Sequence, residues 1–151
     1  MFRGVNAVNL DVKGRLAIPT RYRQMLRDNC GGGLVVTVDT DEPCLLIYPL
    51  NEWNIIQKKI EALPSFHPMT RRIQRLLIGH ATDIDMDGSG RILIPPLLRD
   101  YAGFEKQCIL LGQGKKFEVW DEASWTKCRD RYLQDAAALG DIPEELQSLS
   151  L

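Results

Sequence analysis

The apolar positions of the chain fall into three recurring patterns: short stretches beside glycine turns, longer runs rich in β-branched and aromatic residues, and stripes at three- and four-residue spacing. Each pattern predicts an element. Residues 16–18 and 92–94 follow turns at Lys13-Gly14 and Gly88-Ser89-Gly90, and each predicts the second arm of a β-hairpin whose first arm precedes the turn. Pro19 and Pro95 cannot donate to a ladder and end those arms. Thr20 then predicts an N-cap for a short helix to about residue 28, closed by Gly31. In the second instance Pro96 suits a first helical turn and Gly103 follows it. Apolar runs at residues 34–38 and 44–48, and again at 108–111 and 117–120, predict two strand pairs. A helix follows each pair, with Trp53, Ile56, Ile60 and Leu63 as the core stripe of the first and Trp125, Cys128 and Tyr132 as that of the second. After a break at residues 64–68, one more helix is predicted to open at Thr70 and to carry Ile73, Leu76 and Leu77.

These elements form a repeat. DVKGRLAIP at residues 11–19 aligns with DGSGRILIP at residues 87–95 at an offset of 76, with Asp, Gly, Arg, Ile and Pro identical and Leu16 matched by Ile92. Arg23 falls on Arg99; at an offset of 72, Tyr48 falls on Trp120, Trp53 on Trp125, Ile56 on Cys128 and Ile60 on Tyr132. The second copy is therefore shorter by four residues between its first helix and its closing strands, a change that a loop absorbs. A unit of about 75 residues is near the lower limit for burying its own core, whereas two in tandem can interlock. The expected fold is α+β, with tandem ββαββα modules in one pseudo-twofold domain and strands exchanged between halves. The expected boundaries are residues 1–81 for the first repeat with its linking helix, 82–140 for the second, and 141–151 for an acidic C-terminal tail.

Composition adds limits. Hydrophobic residues at 44% and charged residues at 26% are ordinary for a soluble globular protein, and no apolar run approaches the ~20 residues that span a bilayer. The start, Met1-Phe2-Arg3-Gly4-Val5-Asn6, lacks the pattern of a secretory signal, so a cytoplasmic protein without a membrane partner is expected. Cys30, Cys44, Cys108 and Cys128 form no Cys-x-x-Cys pair and read as buried thiols rather than metal ligands. The net charge is only -1, but its distribution is uneven. Residues 1–27 hold Arg3, Lys13, Arg15, Arg21, Arg23 and Arg27 against Asp11 alone, whereas Asp135, Asp141, Glu144 and Glu145 make the C-terminal end acidic.

Little catalytic chemistry is available. Asp85-Met86-Asp87-Gly88-Ser89-Gly90 begins like a calcium loop, but its twelfth position is Pro96, or Ile94 if the loop starts at Asp83, and neither supplies the bidentate carboxylate. His67 and His80 belong to no metalloprotease pair or nucleophile elbow, and Gly31-Gly32-Gly33 lacks the lysine and hydroxyl of a phosphate loop. No enzyme, cofactor or small-molecule substrate is expected.

The repeated Asp-x-x-Gly-Arg turn remains, with Asp11, Gly14 and Arg15 in one copy and Asp87, Gly90 and Arg91 in the other. Hairpin chemistry alone could account for it: the aspartate bonds turn amides or pairs with the arginine, and the glycine takes positive φ. Charge favours a further role, because Arg3, Lys13, Arg15, Arg21 and Arg23 are expected to crowd one hairpin-helix corner, where repulsion calls for an anionic partner. A two-stranded ribbon fits the DNA major groove; an arginine at its tip can grip guanine O6 and N7 while neighbouring cations meet phosphates. The second turn lies among Asp83, Asp85, Asp87 and Asp100, so the first copy is expected to lead, with Arg91 secondary. Arg71, Arg72 and Arg75 read as a solvated helix face. No aromatic residue interleaves with Arg71, Arg72 and Arg75, which favours double-stranded DNA over single strands or RNA.

Taken together, MFRGVNAVNLDVKGRLAIPTRYR, the second motif DGSGRILIPPLLR and the closing strand FEVW resemble the MraZ family of bacterial regulators. The resemblance covers nearly the whole chain. It implies an AbrB-like swapped-hairpin (double-split) β-barrel with flanking helices and a ring-like homo-oligomer associated with the nucleoid. It also implies sequence-specific binding to short tandem promoter repeats, with repression of the division and cell-wall gene cluster. The family's two Asp-x-x-x-Arg motifs fall on Asp11 with Arg15 and on Asp87 with Arg91. The alternative is a ring-forming protein-interaction scaffold or an AbrB-like antitoxin, although only a short segment follows Gly140 to wrap a toxin.

Overall fold

The computed structural model describes residues 1–135 and 142–149, so the acidic tail expected at 141–151 lies partly outside the described residues. The elements run β1 (Phe2–Asn9), β2 (Arg15–Ala17), α1 (Thr20–Cys30), β3 (Gly33–Val38), β4 (Leu45–Pro49), α2 (Leu50–Glu61) and α3 (Pro68–Ile73). They continue with β5 (Thr82–Asp85), β6 (Arg91–Leu93), α4 (Pro96–Ala102), β7 (Gln107–Gly114), β8 (Phe117–Asp121), α5 (Glu122–Gln134) and a short α6 (Glu144–Gln147). The expected ββαββα order is present twice.

Pairing differs from the expectation in one respect that matters. The arms flanking each Asp-Gly-Arg turn do not pair with each other. β1 instead pairs antiparallel with β7 along its whole length, and β2 pairs with β6, so that Arg15 faces Leu93, Leu16 faces Ile92 and Ala17 faces Arg91. β5 likewise pairs with β3 of the first repeat. The result is a six-stranded antiparallel sheet, ordered β1-β7-β8-β4-β3-β5, and a two-stranded ribbon, β2-β6. The order is palindromic about the β4–β8 seam, where Leu45 faces Val119 and Ile47 faces Phe117. Bonding between the arms stops at the turn itself, where Asp11 N–H donates to Arg15 O and Gly14 N–H to Asp11 O; beyond it each arm pairs with a strand of the other repeat.

The uninterrupted apolar runs belong to strands buried on both faces. On one face Leu34, Val36, Leu45, Ile47, Leu110, Phe117 and Val119 join Leu16, Ile18, Ile92 and Ile94 in the main core. On the other, Val35, Leu46 and Tyr48 lie under Trp53 of α2, and Ile109, Leu111 and Trp120 lie with Cys128 of α5. Phe117 sits at the centre, stacked on Phe2 at 4.1 Å between ring centroids and edge-on to Tyr22 at 5.1 Å.

Several local expectations are corrected. Thr20 is the first helical residue of α1 rather than its cap; Pro19 occupies the cap position without a side-chain bond, while Gly31 ends the helix at φ 63° as expected. The linking helix starts at Pro68, not Thr70: His67 caps it, its Nδ1 accepting from Met69 N–H at 3.1 Å, and Thr70 is buried inside. The helix then widens into a π-helical segment, Gln74–Ile78, which turns Leu76 toward the main core and Leu77 and Ile78 toward Trp53. Thr37, polar amid an apolar strand, donates to Leu77 O at 2.7 Å, which satisfies its buried hydroxyl. Leu63 and Tyr132 are exposed rather than core: α2 ends at Glu61, before Leu63, and Tyr132 lies in the exposed last turn of α5. Cys44, Cys108 and Cys128 are buried, but Cys30 is only half-buried.

Phe117→Ala removes the ring against which both Phe2 and Tyr22 pack, and it should cost about 3–5 kcal/mol of unfolding free energy. Denaturant titration of the variant beside the unaltered chain measures this; a loss near that of an ordinary surface change contradicts the central placement.

Candidate nucleic-acid interface

The two motif turns have the same internal geometry. Asp11 Oδ1 accepts from the backbone N–H of Lys13 and of Arg15, each at 2.9 Å, and Oδ2 accepts from Arg15 Nε at 2.9 Å. Asp87 repeats the pattern, with Ser89 and Arg91 N–H at 2.9 Å and Arg91 Nε at 3.1 Å. Each aspartate therefore shapes its turn with one oxygen and orients its arginine with the other. Both carboxylates are engaged by these donors within their own turns.

The aspartates do not hide the arginines. Side-chain exposure is 29% for Arg15 and 40% for Arg91, and among the described residues no partner takes their terminal Nη groups. In the β2–β6 ladder Leu16 and Ile92 point inward, so Arg15, Ala17, Arg91 and Leu93 share the outer face. Arg15 and Arg91 are diagonal neighbours there, about 7–8 Å apart. One ribbon, built from one strand of each repeat, thus presents both motif arginines side by side. The pattern of either copy alone could not reveal this, nor that Leu93, 52% exposed, lies between them.

Lys13 is exposed beside Arg15 in the turn. The other two predicted cations lie elsewhere. Arg3 is at the far end of β1, six residue steps from Asn9, about 20 Å at the usual rise. Arg21 reaches back to β1, donating from Nη2 to Asn6 Oδ1 at 2.8 Å and lying 4.7 Å over the Tyr22 ring, whose hydroxyl donates to Arg3 O. The single basic corner expected from sequence is therefore two neighbourhoods, because β1 runs away along the sheet.

Charge at the second turn is also corrected. Arg27 Nη2 approaches the carbonyls of Asp87 and Gly88 at 3.4 and 3.3 Å, and the Arg23 side chain lies against Gly90. Two cations of the first repeat thus offset the carboxylates around Arg91. In exchange Arg99 of the second repeat lies against Gly14.

Other candidate chemistry is occupied structurally. His80 Nδ1 lies 2.8 Å from Leu76 O, and His67 caps α3. Burial pushes the Cys108 thiol up to about 12 and that of Cys44 higher, so neither is a thiolate nucleophile at neutral pH. Among the described residues no helix is long and apolar enough to cross a membrane.

The backbone N–H of Arg15, with its Nε and the Lys13 N–H, holds the Asp11 carboxyl below its ordinary 3.8; the Arg91 and Ser89 amides with Arg91 Nε do the same for Asp87. A depressed carboxylate stabilises the fold above its ordinary value, and that contribution is lost as pH falls through the lowered one. The double variant Asp11→Asn, Asp87→Asn should therefore melt below the unaltered chain at neutral pH, with the gap closing in acid. A gap that stays constant with pH contradicts this role for the charges.

Comparison with known proteins agrees with the doubled geometry. The family model of the MraZ protein, which its description likens to antitoxins, matches twice, over residues 1–76 and 77–140. A protein of Coxiella burnetii named transcriptional regulator MraZ is 55% identical over 152 aligned positions, covering the full length of both chains. Proteins of the same name from Halorhodospira halophila and Legionella pneumophila are 53% and 52% identical, again over the full length of both. The chain belongs to the MraZ family.

Proposed function

We propose that the chain is a cytoplasmic, nucleoid-associated transcriptional regulator that inserts its β2–β6 ribbon into the major groove of double-stranded DNA. The observation that carries this reading is the shared outer face of Arg15 and Arg91, each held through Nε with its Nη groups directed to no other described residue. Surface ion pairs contribute little to stability, so folding alone gives weak reason to build this pair twice. An arginine gripped at Nε has lost rotamer freedom and still offers its end-on donors to guanine O6 and N7. A separation of about 7–8 Å spans about two base steps of 3.4 Å, so one ribbon can address bases within one half-site. Ala17 and Leu93 between the arginines suit contact with a thymine methyl. Lys13 is placed to meet phosphate, with Arg3 and Arg21 as more distant phosphate contacts along β1.

On this reading the repeats, residues 1–81 and 82–140, form an AbrB-like swapped-hairpin barrel followed by the acidic segment 141–151. Subunits assemble into a ring-like homo-oligomer, and several individually weak ribbons engage tandem promoter repeats together. The regulated target is the division and cell-wall gene cluster, and the effect is repression.

Arg15→Ala should lose about 1–3 kcal/mol of discrimination per ribbon between the preferred duplex and a base-substituted one. Lys13→Ala should instead weaken all duplexes alike and lower the salt slope by about 1. Fluorescence anisotropy at several salt concentrations, on duplexes selected from a random pool, measures both. If Arg15→Ala keeps the unaltered sequence preference, the groove-reading assignment is wrong.

A further inference from the structure

The glycines of the two motif turns are not open to solvent. Gly14 and Gly90 are buried, with φ of 86° and 77°. A methyl group on Gly14 would lie 2.5 Å from Arg99 Cζ and 2.6 Å from its Nη1; one on Gly90 would lie 2.6 Å from Arg23 Cζ. Each arginine side chain thus fills the notch left by the absent side chain, and each comes from the opposite repeat. Arg23 and Arg99 are equivalent in the repeat, so the exchange is reciprocal. The backbone follows the same cross: Ile18 N–H donates to Gly90 O at 2.8 Å, and Ile94 N–H donates to Gly14 O at 2.9 Å.

We propose that Arg23 and Arg99 are positioning residues acting in trans, each bracing the motif turn of the other repeat and so fixing the pose in which that turn's arginine meets DNA. The inference rests on the groove-reading function above. Gly14 and Gly90 directly precede Arg15 and Arg91, so a guanidinium packed on the glycine limits the backbone freedom of the residue that reads. The braces are unequal. Arg23 Nε is anchored on Ile18 O at 2.7 Å, whereas Arg99 Nε is buried and, among the described residues, has no hydrogen-bond partner. At the first turn the arginine brace is packing alone, and at the second it is packing and an anchor. Neither arginine needs to touch a base, and sequence alone matches them as equivalent positions without placing either on the other repeat's turn.

The test uses the full chain in four variants, Arg99→Ala, Arg23→Ala, Arg99→Lys and Arg23→Lys, beside Arg15→Ala and Arg91→Ala. Each is used to select duplexes from a random pool, and the base positions flattened by Arg15→Ala and by Arg91→Ala define the footprint of each turn. The expected result is crossed: Arg99 variants lower preference about fivefold or more at the Arg15 positions, and Arg23 variants do so at the Arg91 positions. The lysine variants keep charge and stem but lack the flat guanidinium; they show the same crossed loss and stand in for any alanine variant that does not fold. Hydrogen exchange without DNA supplies an independent readout. Residues 11–15 should exchange faster in Arg99→Lys, and residues 87–91 in Arg23→Lys.

An uncrossed pattern, an equal loss at all positions, or unchanged preference in the folded variants overturns the proposal. Should Arg15→Ala and Arg91→Ala flatten nothing while exchange is crossed as expected, the groove-reading function fails and the brace survives only as architecture. Uncrossed exchange with intact Arg15 and Arg91 footprints defeats the brace and leaves that function standing.

Discussion

Backbone N–H and C=O groups must find partners wherever water is excluded, and in this chain that requirement is met largely across the repeat. β1 takes its partners from β7, β5 from β3, and β2 from β6. Neither repeat could satisfy its own strands if separated from the other in this arrangement. The main core obeys the same rule, since Leu16 and Ile18 of one half bury the same surface as Ile92 and Ile94 of the other. Hydrogen bonding and hydrophobic burial thus favour one interlocked body over two beads on a string. The β2–β6 ribbon exists only because of that interlock.

The site inherits its geometry from this constraint. Because β2 and β6 run antiparallel, the two motif turns sit at opposite ends of a three-residue ladder, and the alternation of side chains directs both arginines to the same face. The aspartates then act locally, converting a flexible arginine into an oriented one through Nε. Charge follows the interlock too. Arg23 and Arg27 travel with α1 to the second turn, while Arg99 travels with α4 to the first. The local charge around each turn is a property of the assembled pair of repeats.

Much of this was legible in the residues. The matched nonapeptides disclosed the duplication, the uninterrupted apolar runs disclosed the strand pairs, and the glycines beside Arg15 and Arg91 disclosed turns with positive φ. What stayed hidden depends on contacts between distant segments. Local pattern cannot distinguish a hairpin whose arms pair with each other from one whose arms pair elsewhere, because both need the same alternation and the same turn. The crowding expected of Arg3 and Arg21 with Lys13 assumed that nearness in sequence is nearness in space, and an extended β1 defeats that assumption. The π-helical widening at residues 74–78 and the exposure of Tyr132 likewise follow from packing, which helical periodicity does not encode.

The unequal anchoring of Arg23 and Arg99 has a consequence for symmetry. A true homodimer of such modules would be forced to keep its two halves identical, and the duplex it prefers would carry a matching dyad. Covalent fusion releases that restraint. Once both copies lie on one chain they are free to differ, as the anchor made by Arg23 and not, among the described residues, by Arg99 shows. A ribbon made this way has two unlike ends, so whatever docks on it meets a front and a back.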